Sequence, residues 1–303
     1  MNSDESWSHY WLQGCETSFG NTLTDGYIGS IKTAWEEFFS TIVDYEHVLD
    51  ICTGNATLIR MAKRSLVNFD HIYFTGVDYA KIKIDENLKE MLNVKLLFGI
   101  NIEALPFRKN MLDHVMSNFG LEYSNLKLSI AEISRTLKIK GRVQLICHHE
   151  DSILIKNSRV ELDFLNDLFI EHGALLSLEN LLIALTTNED ENVKESYRYQ
   201  LNESLSVLEK KYRNVFYTSD FMSFFKFIFN PKVKDKLKDL LAYKKETLAY
   251  KIRVSLMVNS ALTIEKIEKL KYHFNENSLV ISKEKYLSEE SETIAYLIEA
   301  QKV

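Results

Sequence analysis

Between His47 and Cys147 the sequence alternates short apolar, β-branched runs with segments of helical period, and this alternation limits the fold more than any other feature. Val48, Leu49 and Ile51 read as a buried strand carrying Asp50 at its end, and Thr57 to Ser65 as the helix that follows. His71 to Val77 (HIYFTGV) reads as a second strand ending at Asp78, and Val94 to Phe98 as a third. Asp113 to Ser117 is a fourth, Leu126 to Leu137 a helix, and Arg142 to Cys147 (RVQLIC) a fifth strand. About 20 residues separate the first two strands, enough for a crossover and far too many for a hairpin. The repeat predicts an α/β fold built on a doubly wound, mostly parallel sheet. Such sheets bind ligands outside the carboxyl ends of their strands, near the point where strand order reverses. Asp50, Asp78, Asn101, Asn118 and His148 stand at those ends.

The first strand runs into a turn of little bulk, Thr53, Gly54, Asn55 and Ala56, where a backbone can approach a ligand closely. The turn opens a helix, whose free N–H groups suit an anionic group. Asp78 follows Gly54 by about two dozen residues, the spacing of an acid that accepts hydrogen bonds from ribose hydroxyls. Upstream, Ile31, Trp35, Phe38, Phe39 and Ile42 recur at helical spacing. Residues 7 to 29 read as an aromatic-rich arm without regular structure, which either packs on the body of the domain or covers cofactor and substrate. In the second case Tyr10, Phe19 and Tyr27 are its substrate contacts.

Composition narrows the class. With 46% hydrophobic and 12% aromatic residues among 303, the chain has material for a large core and is not disordered. A formal charge of −6 argues against a dominant nucleic-acid surface. Cys15, Cys52 and Cys147 form neither a disulfide framework nor a CxxC metal pair, and no cluster of ligating residues suggests a metal. The acidic, aromatic N-terminus does not resemble a secretory signal, and no apolar run is read as approaching a membrane span, so a cytoplasmic protein is expected.

Four ordered segments resemble the class I S-adenosylmethionine-dependent methyltransferases, especially the ubiquinone-biosynthesis-like group. VLDICTGNATL is similar to the family's first motif, an acid followed by G-x-G-x-G, and GVDYA to the second. NIEALPF with LDHVMSNFGLEY resembles the third motif and the fourth strand with its ligand-facing end. EISRTLKIKGRVQLIC is similar to the helix, glycine turn and fifth strand written E-x-x-R-x-L-K-x-G-G. The resemblance implies a Rossmann-like methyltransferase fold of seven strands with S-adenosylmethionine as cofactor. It implies that Cys52, Gly54 and Asn55 line the methionine and ribose part, that Asp50 orients the loop and the cofactor amine, and that Asp78 takes the ribose hydroxyls with Tyr79 beside the adenine. Asn101 and Ile102 would face the adenine edge and plane, and Asn118 with Phe119 the methionine end. Cys52 and Ala56 stand where the family usually has its first and third glycines, which small residues satisfy if φ stays negative. Asn101 replaces the usual acid, and its carbonyl can accept from the adenine amine.

The family's terminal antiparallel strand pair is present but displaced. Thr263 to Phe274 reads as the helix before it, Leu279 to Tyr286 as the sixth strand and Thr293 to Val303 as the seventh. The stretch between the fifth and sixth strands reads as a helical insertion. Within it Val160 to Leu185 is poor in polar positions, Ser196 to Asn214 is amphipathic, Phe221 to Phe229 (FMSFFKFIF) is aromatic, and Pro231 starts a long helix to about Ser260. The expected division is an arm and helix (1–46), a cofactor-binding core (47–150), a helical cap with a surface for homodimer packing (151–260), and a closing helix and strand pair (261–303).

Methyl transfer from a sulfonium is an in-line displacement, so a protein chiefly aligns the nucleophile and, where needed, removes its proton. Glu122, Tyr123, His148 and His149 follow the fourth and fifth strands and are the candidates for that proton. The expected activity is methylation of a small-molecule acceptor enclosed by the cap. The alternatives are methylation of a protein or RNA, and a methyltransferase-like subunit that binds without catalysing.

Overall fold

A computed structural model describes residues 3–18, 26–83, 86–171, 173–187 and 189–303. The chain divides into two compact units, Met1–Ile155 with Leu256–Val303, and Lys156–Ser255.

The first unit is built on one seven-stranded sheet. Its strands are β1 (His47–Ile51), β2 (Tyr73–Asp78), β3 (Val94–Phe98), β4 (Leu112–Asn118), β5 (Leu137–Cys147), β6 (Leu279–Glu289) and β7 (Glu292–Lys302), in the order β3-β2-β1-β4-β5-β7-β6. The first five pair in parallel, and β7 lies antiparallel between β5 and β6. Strand order reverses between β1 and β4, which opens a crevice where Asp50, Asp78 and Asn118 end their strands.

Alternate residues of the central strands feed two cores, as the two-residue period of a strand requires. Val48, Met116 and Ile146 pack on one face with Trp35, Phe38 and Phe39 of α2 (Gly29–Phe39) and Leu58 and Ile59 of α3 (Thr57–Ser65). Leu49, Val115 and Leu145 pack on the other with Ile130 and Ile133 of α5 (Leu126–Thr136) and Phe274 of α12 (Ile264–Glu276). Burying each such side chain contributes about 1.5–3 kcal/mol, so both faces hold the strand ends firmly in place.

The structure corrects three local expectations. Residues 3–12 are not irregular: Ser3–Leu12 form a helix, α1, on which Trp7, Tyr10 and Trp11 sit three and four residues apart and meet on one face. β5 begins at Leu137, because Leu112 of β4 already pairs with it there. The long helix α11 (Lys236–Ser260) starts beyond Pro231, where Asp235 accepts the Lys238 N–H at 3.1 Å and caps it.

The second unit is helical: most of α6 (Ile153–Phe169), then α7 (Ala174–Thr186), α8 (Glu191–Lys211), α9 (Arg213–Thr218), α10 (Asp220–Ile228) and most of α11. By length and composition an 18-residue window within Ile153–Thr186 is apolar enough to cross a membrane, which corrects the expectation of no such run; 53% of that window is buried, and a core helix of a folded protein passes the same test.

Candidate active site

Four strand ends make the floor of the site. After β1 the chain turns through Cys52 (φ 55°), Gly54 (φ 51°) and Ala56 (φ 62°) into α3. The condition that φ stays negative at Cys52 and Ala56 therefore does not hold. Both residues keep the left-handed backbone that glycine adopts freely, at a cost of roughly 1–2 kcal/mol each. Lys140, at the first glycine of the fourth motif, does the same with φ 67°. The backbone has kept a glycine's shape where the side chain has changed.

Asp78 ties the first two strand ends together. Its Oδ2 accepts the Gly54 N–H at 2.8 Å and its Oδ1 the Ala80 N–H at 2.9 Å. Burial nevertheless pushes its carboxyl up to about 6, against those backbone donors. Asp50 lies deeper and accepts from Thr53 Oγ1 at 2.5 Å. Burial, with the charge of Asp78 adding, pushes its carboxyl up to about 8.

The third strand end is held by the E-x-x-R string. Glu132 Oε2 accepts the Leu105 N–H at 2.7 Å, and Arg135 donates to the Leu105 and Phe107 carbonyls at 2.9 and 2.8 Å while pairing with Glu132 at 2.6 Å. This clamp fixes the segment carrying Asn101 and Ile102. Asn101 Oδ1 already accepts the Glu103 N–H at 2.9 Å in a local turn. At the fourth strand end Asn118 Oδ1 accepts from Trp35 Nε1 at 2.8 Å, while its buried Nδ2 makes no well-formed hydrogen bond among the described residues. The Tyr27 hydroxyl faces the same side chain, and burial raises it well above the ordinary tyrosine range. Phe119 (φ 56°) follows, stacked on His148 at 4.1 Å.

The wall opposite is aromatic and comes from α1. Trp7 stacks on Trp11 at 6.0 Å and meets Tyr123 edge-on at 5.7 Å. Trp11 lies so close over Gly54 that a Cβ there would come within 2.7 Å of its ring, so only glycine fits beneath it. Asn55 fastens this wall to the loop, donating to the Trp11 and Cys15 carbonyls at 2.9 and 2.7 Å and accepting the Lys83 N–H at 2.9 Å.

Floor and wall bound a cavity of about 320 Å3. Of the sequence-derived candidates it gathers Asp50, Cys52, Asp78, Tyr79, Asn101 and Ile102 along β1 to β3, and Tyr27, Asn118, Phe119 and Tyr123 beside β4. Gly54 and Asn55 do not line it: the first is covered by Trp11, the second holds the arm. Tyr10 is buried behind the wall, donating to the Thr17 carbonyl at 2.6 Å, and Phe19 lies outside the described residues.

Glu122, His148 and His149 also lie outside the lining. Glu122 is buried and accepts the His148 N–H at 2.8 Å; burial raises its carboxyl to about 7. His148 is fully buried and held neutral, its imidazole pushed down to about 3. His149 accepts the Asp151 N–H at 3.2 Å. Of the four proton-acceptor candidates only Tyr123 reaches the cavity, and burial pushes its hydroxyl well above the ordinary tyrosine range. Sequence reasoning missed Trp7, Trp11, Thr53 and Glu103 in the lining. The i, i+4 spacing of Trp7 and Trp11 was the available signal. Among the described residues no group of three His, Cys, Asp or Glu side chains is placed to hold a metal ion.

Residues 49–145 match the family described as a methyltransferase domain. No curated protein matches the sequence. The chain is similar to a solved S-adenosylmethionine-dependent methyltransferase from Aquifex aeolicus, at 8% identity over 100% of both chains and a TM-score of 0.46. It is similar to one from Methanosarcina mazei at 11% identity, covering 88% of this chain and 97% of that one, with a TM-score of 0.42. The third likeness is to a chain from the complex of the Haloferax volcanii Trm112 methyltransferase activator with a methyltransferase. There the identity is 19%, the cover 47% of this chain and 60% of that one, and the TM-score 0.37. This chain thus spans less than two thirds of the Haloferax chain, and all three likenesses are too distant to bear on substrate or partner. Residues 49–145, carried on the strand order β3-β2-β1-β4-β5-β7-β6, thus form a methyltransferase domain of Rossmann-like fold, with S-adenosylmethionine as its cofactor.

Proposed function

We propose that the protein transfers the methyl group of S-adenosylmethionine to a small-molecule acceptor held in the cavity at the strand ends. The observation that carries this reading is the cavity itself, about 320 Å3 bounded by strand ends and walled by Trp7, Trp11, Tyr27, Phe119 and Tyr123. That is the scale of a small-molecule site, with polar groups such as Asp50, Asp78, Asn101 and Asn118 set against aromatic walls. The cofactor supplies an electrophilic methyl on a sulfonium.

The lining fits this cofactor. Asp78 accepts backbone N–H groups of Gly54, Ala80 and Tyr79, and the acceptor capacity that remains on its carboxylate suits the ribose hydroxyls. Asn118 Nδ2, a buried donor facing the Tyr27 hydroxyl, is suited to the methionine carboxylate. Ile102 offers an apolar face to the adenine and Tyr79, 56% exposed, a ring at its edge. Because the Asn101 carbonyl already accepts from Glu103, its role at the adenine amine falls to the remaining lone pair. Asp50 shapes the loop through Thr53.

For the acceptor, the aromatic wall excludes water and orients a flat or apolar body beside the methyl group. Tyr123, kept as a neutral phenol by burial, is the side chain proposed to orient the acceptor by a hydrogen bond, the acceptor's proton passing to solvent. A cytoplasmic setting accords with three cysteines that are all unpaired.

Transfer of labelled methyl tests this directly. Incubated with labelled cofactor and separate pools of small metabolites, protein and RNA, the protein is expected to label the small-molecule pool. Label confined to protein or RNA would overturn the small-acceptor reading while leaving the transfer itself intact.

A further inference from the structure

The helical unit, Lys156–Ser255, holds a cavity of its own that methyl transfer does not use. It measures about 410 Å3 and every residue lining it comes from this unit. Its apolar wall is made by Phe164 of α6 and Phe221 of α10, both almost fully buried and packed edge to face at 6.1 Å. Three carboxylates, Glu161, Asp220 and Glu246, line it against one guanidinium, Arg253, which lies 5.7 Å over the Tyr250 ring.

Two of those carboxylates are held in place by tyrosines. Tyr243 donates to Asp220 Oδ1 at 3.1 Å and is itself fixed by stacking on Phe224 at 3.8 Å. Tyr250 bonds to Glu161. Burial, with the charge of Asp220 adding, pushes the Glu161 carboxyl up, as expected where negative groups face each other without enough counter-charge.

An independent observation points to a ligand. Ser219 lines the same cavity, and its Oγ is shut away from solvent, with less than 1 Å2 exposed and no hydrogen-bond partner among the described residues. A buried hydroxyl left so costs on the order of 1–3 kcal/mol, which a bound donor recovers. A metal ion is not the fitting occupant, since among the described residues no group of three His, Cys, Asp or Glu side chains is arranged to hold one. The excess of carboxylates disfavours an anion, and aromatic walls favour an organic cation.

We infer that this cavity is a second small-molecule site, selective for a protonated organic amine with an apolar body. The ammonium group sits among Glu161, Asp220 and the Ser219 hydroxyl, and the apolar body lies on Phe164 and Phe221. The inference is independent of methyl transfer, for it rests on residues of the helical unit alone.

Calorimetry on the full chain tests it with three probes of similar shape: 2-phenylethylammonium, neutral 2-phenylethanol and anionic 3-phenylpropanoate. The expected result is saturable binding of the ammonium at one site per chain, at least tenfold tighter than the alcohol, with no binding of the carboxylate. Glu161→Gln and Asp220→Asn should each weaken ammonium binding at least tenfold. Titration of S-adenosylmethionine into the same samples reports separately on the methyltransferase site and on folding. Absence of ammonium binding, equal binding of the alcohol, or ammonium binding untouched by both substitutions in folded protein overturns the inference. The probe series on the unsubstituted chain decides the matter even where a variant does not fold.

Discussion

The strand-end cavity and the helical cavity solve one problem in two ways. Each buries carboxylates and raises their proton affinity: Asp50 and Asp78 in the strand-end cavity, Glu161 in the helical one. At the strand ends the Asp78 carboxylate is held by backbone N–H groups of Gly54 and Ala80, donors that cannot rotate away. In the helical unit the holding groups are tyrosine hydroxyls on α11, whose positions depend on how helices pack. Backbone donors fix a charge through local chain geometry, whereas side-chain donors fix it through tertiary packing.

The contrast is sharpest in the response to losing one carboxylate. Asp78→Ala should weaken S-adenosylmethionine binding by about 10- to 100-fold, the equivalent of roughly 1.5–3 kcal/mol for hydrogen bonds to a charged group. Calorimetry on folded variant measures it, and unchanged affinity would remove Asp78 from the site.

The pH dependence is smaller and has a defined sign. With its carboxyl pushed up to about 6, Asp78 in the free protein is protonated at pH 5 and ionised at pH 7. An ionised carboxylate is the stronger acceptor, so cofactor affinity should rise several-fold from pH 5 to 7, and the rise should vanish in Asp78→Asn. Folding runs the other way. A carboxyl whose folded value lies above its unfolded value, near 4, contributes stability fully below pH 4 and loses it as pH climbs through the folded value. The cofactor-free protein should therefore lose stability from about pH 4 to 6 through Asp78, and on to about 8 through Asp50. Denaturant unfolding across that range checks it, and a rise in stability through Asp50's window that Asp50→Asn does not alter would contradict it.

Smaller still is the effect of restoring a glycine. Lys140 is exposed with φ 67°, so Lys140→Gly should gain up to about 1 kcal/mol in denaturant unfolding, after the extra chain entropy of glycine is counted. A loss would show that the left-handed backbone there is unstrained. Least of all, Glu161→Gln should leave S-adenosylmethionine affinity unchanged, and a clear change would break the independence of the two cavities.

The same contrast explains what the sequence made legible. β3 and α3 coincide with their expected bounds, because β-branched runs and helical period announce them. Asp50, Asp78, Asn101 and Asn118 line the cavity because chain order alone carries them to strand ends. The clamp of Glu132 and Arg135 on Leu105 and Phe107 was present as a motif, but its purpose emerges only where the two segments meet. α1 was hidden by the glycine and short polar residues that follow it, although Trp7 and Trp11 already stood one helical turn apart. Neither the closeness of Glu161 to Asp220 nor the burial of His148 could be read in advance, since both depend on packing between distant segments.

Titration of S-adenosylmethionine into the intact protein tests the central claim most directly. Saturable binding of one cofactor per chain, lost or strongly weakened in Asp78→Ala, is the predicted result; no detectable binding at millimolar cofactor would contradict it.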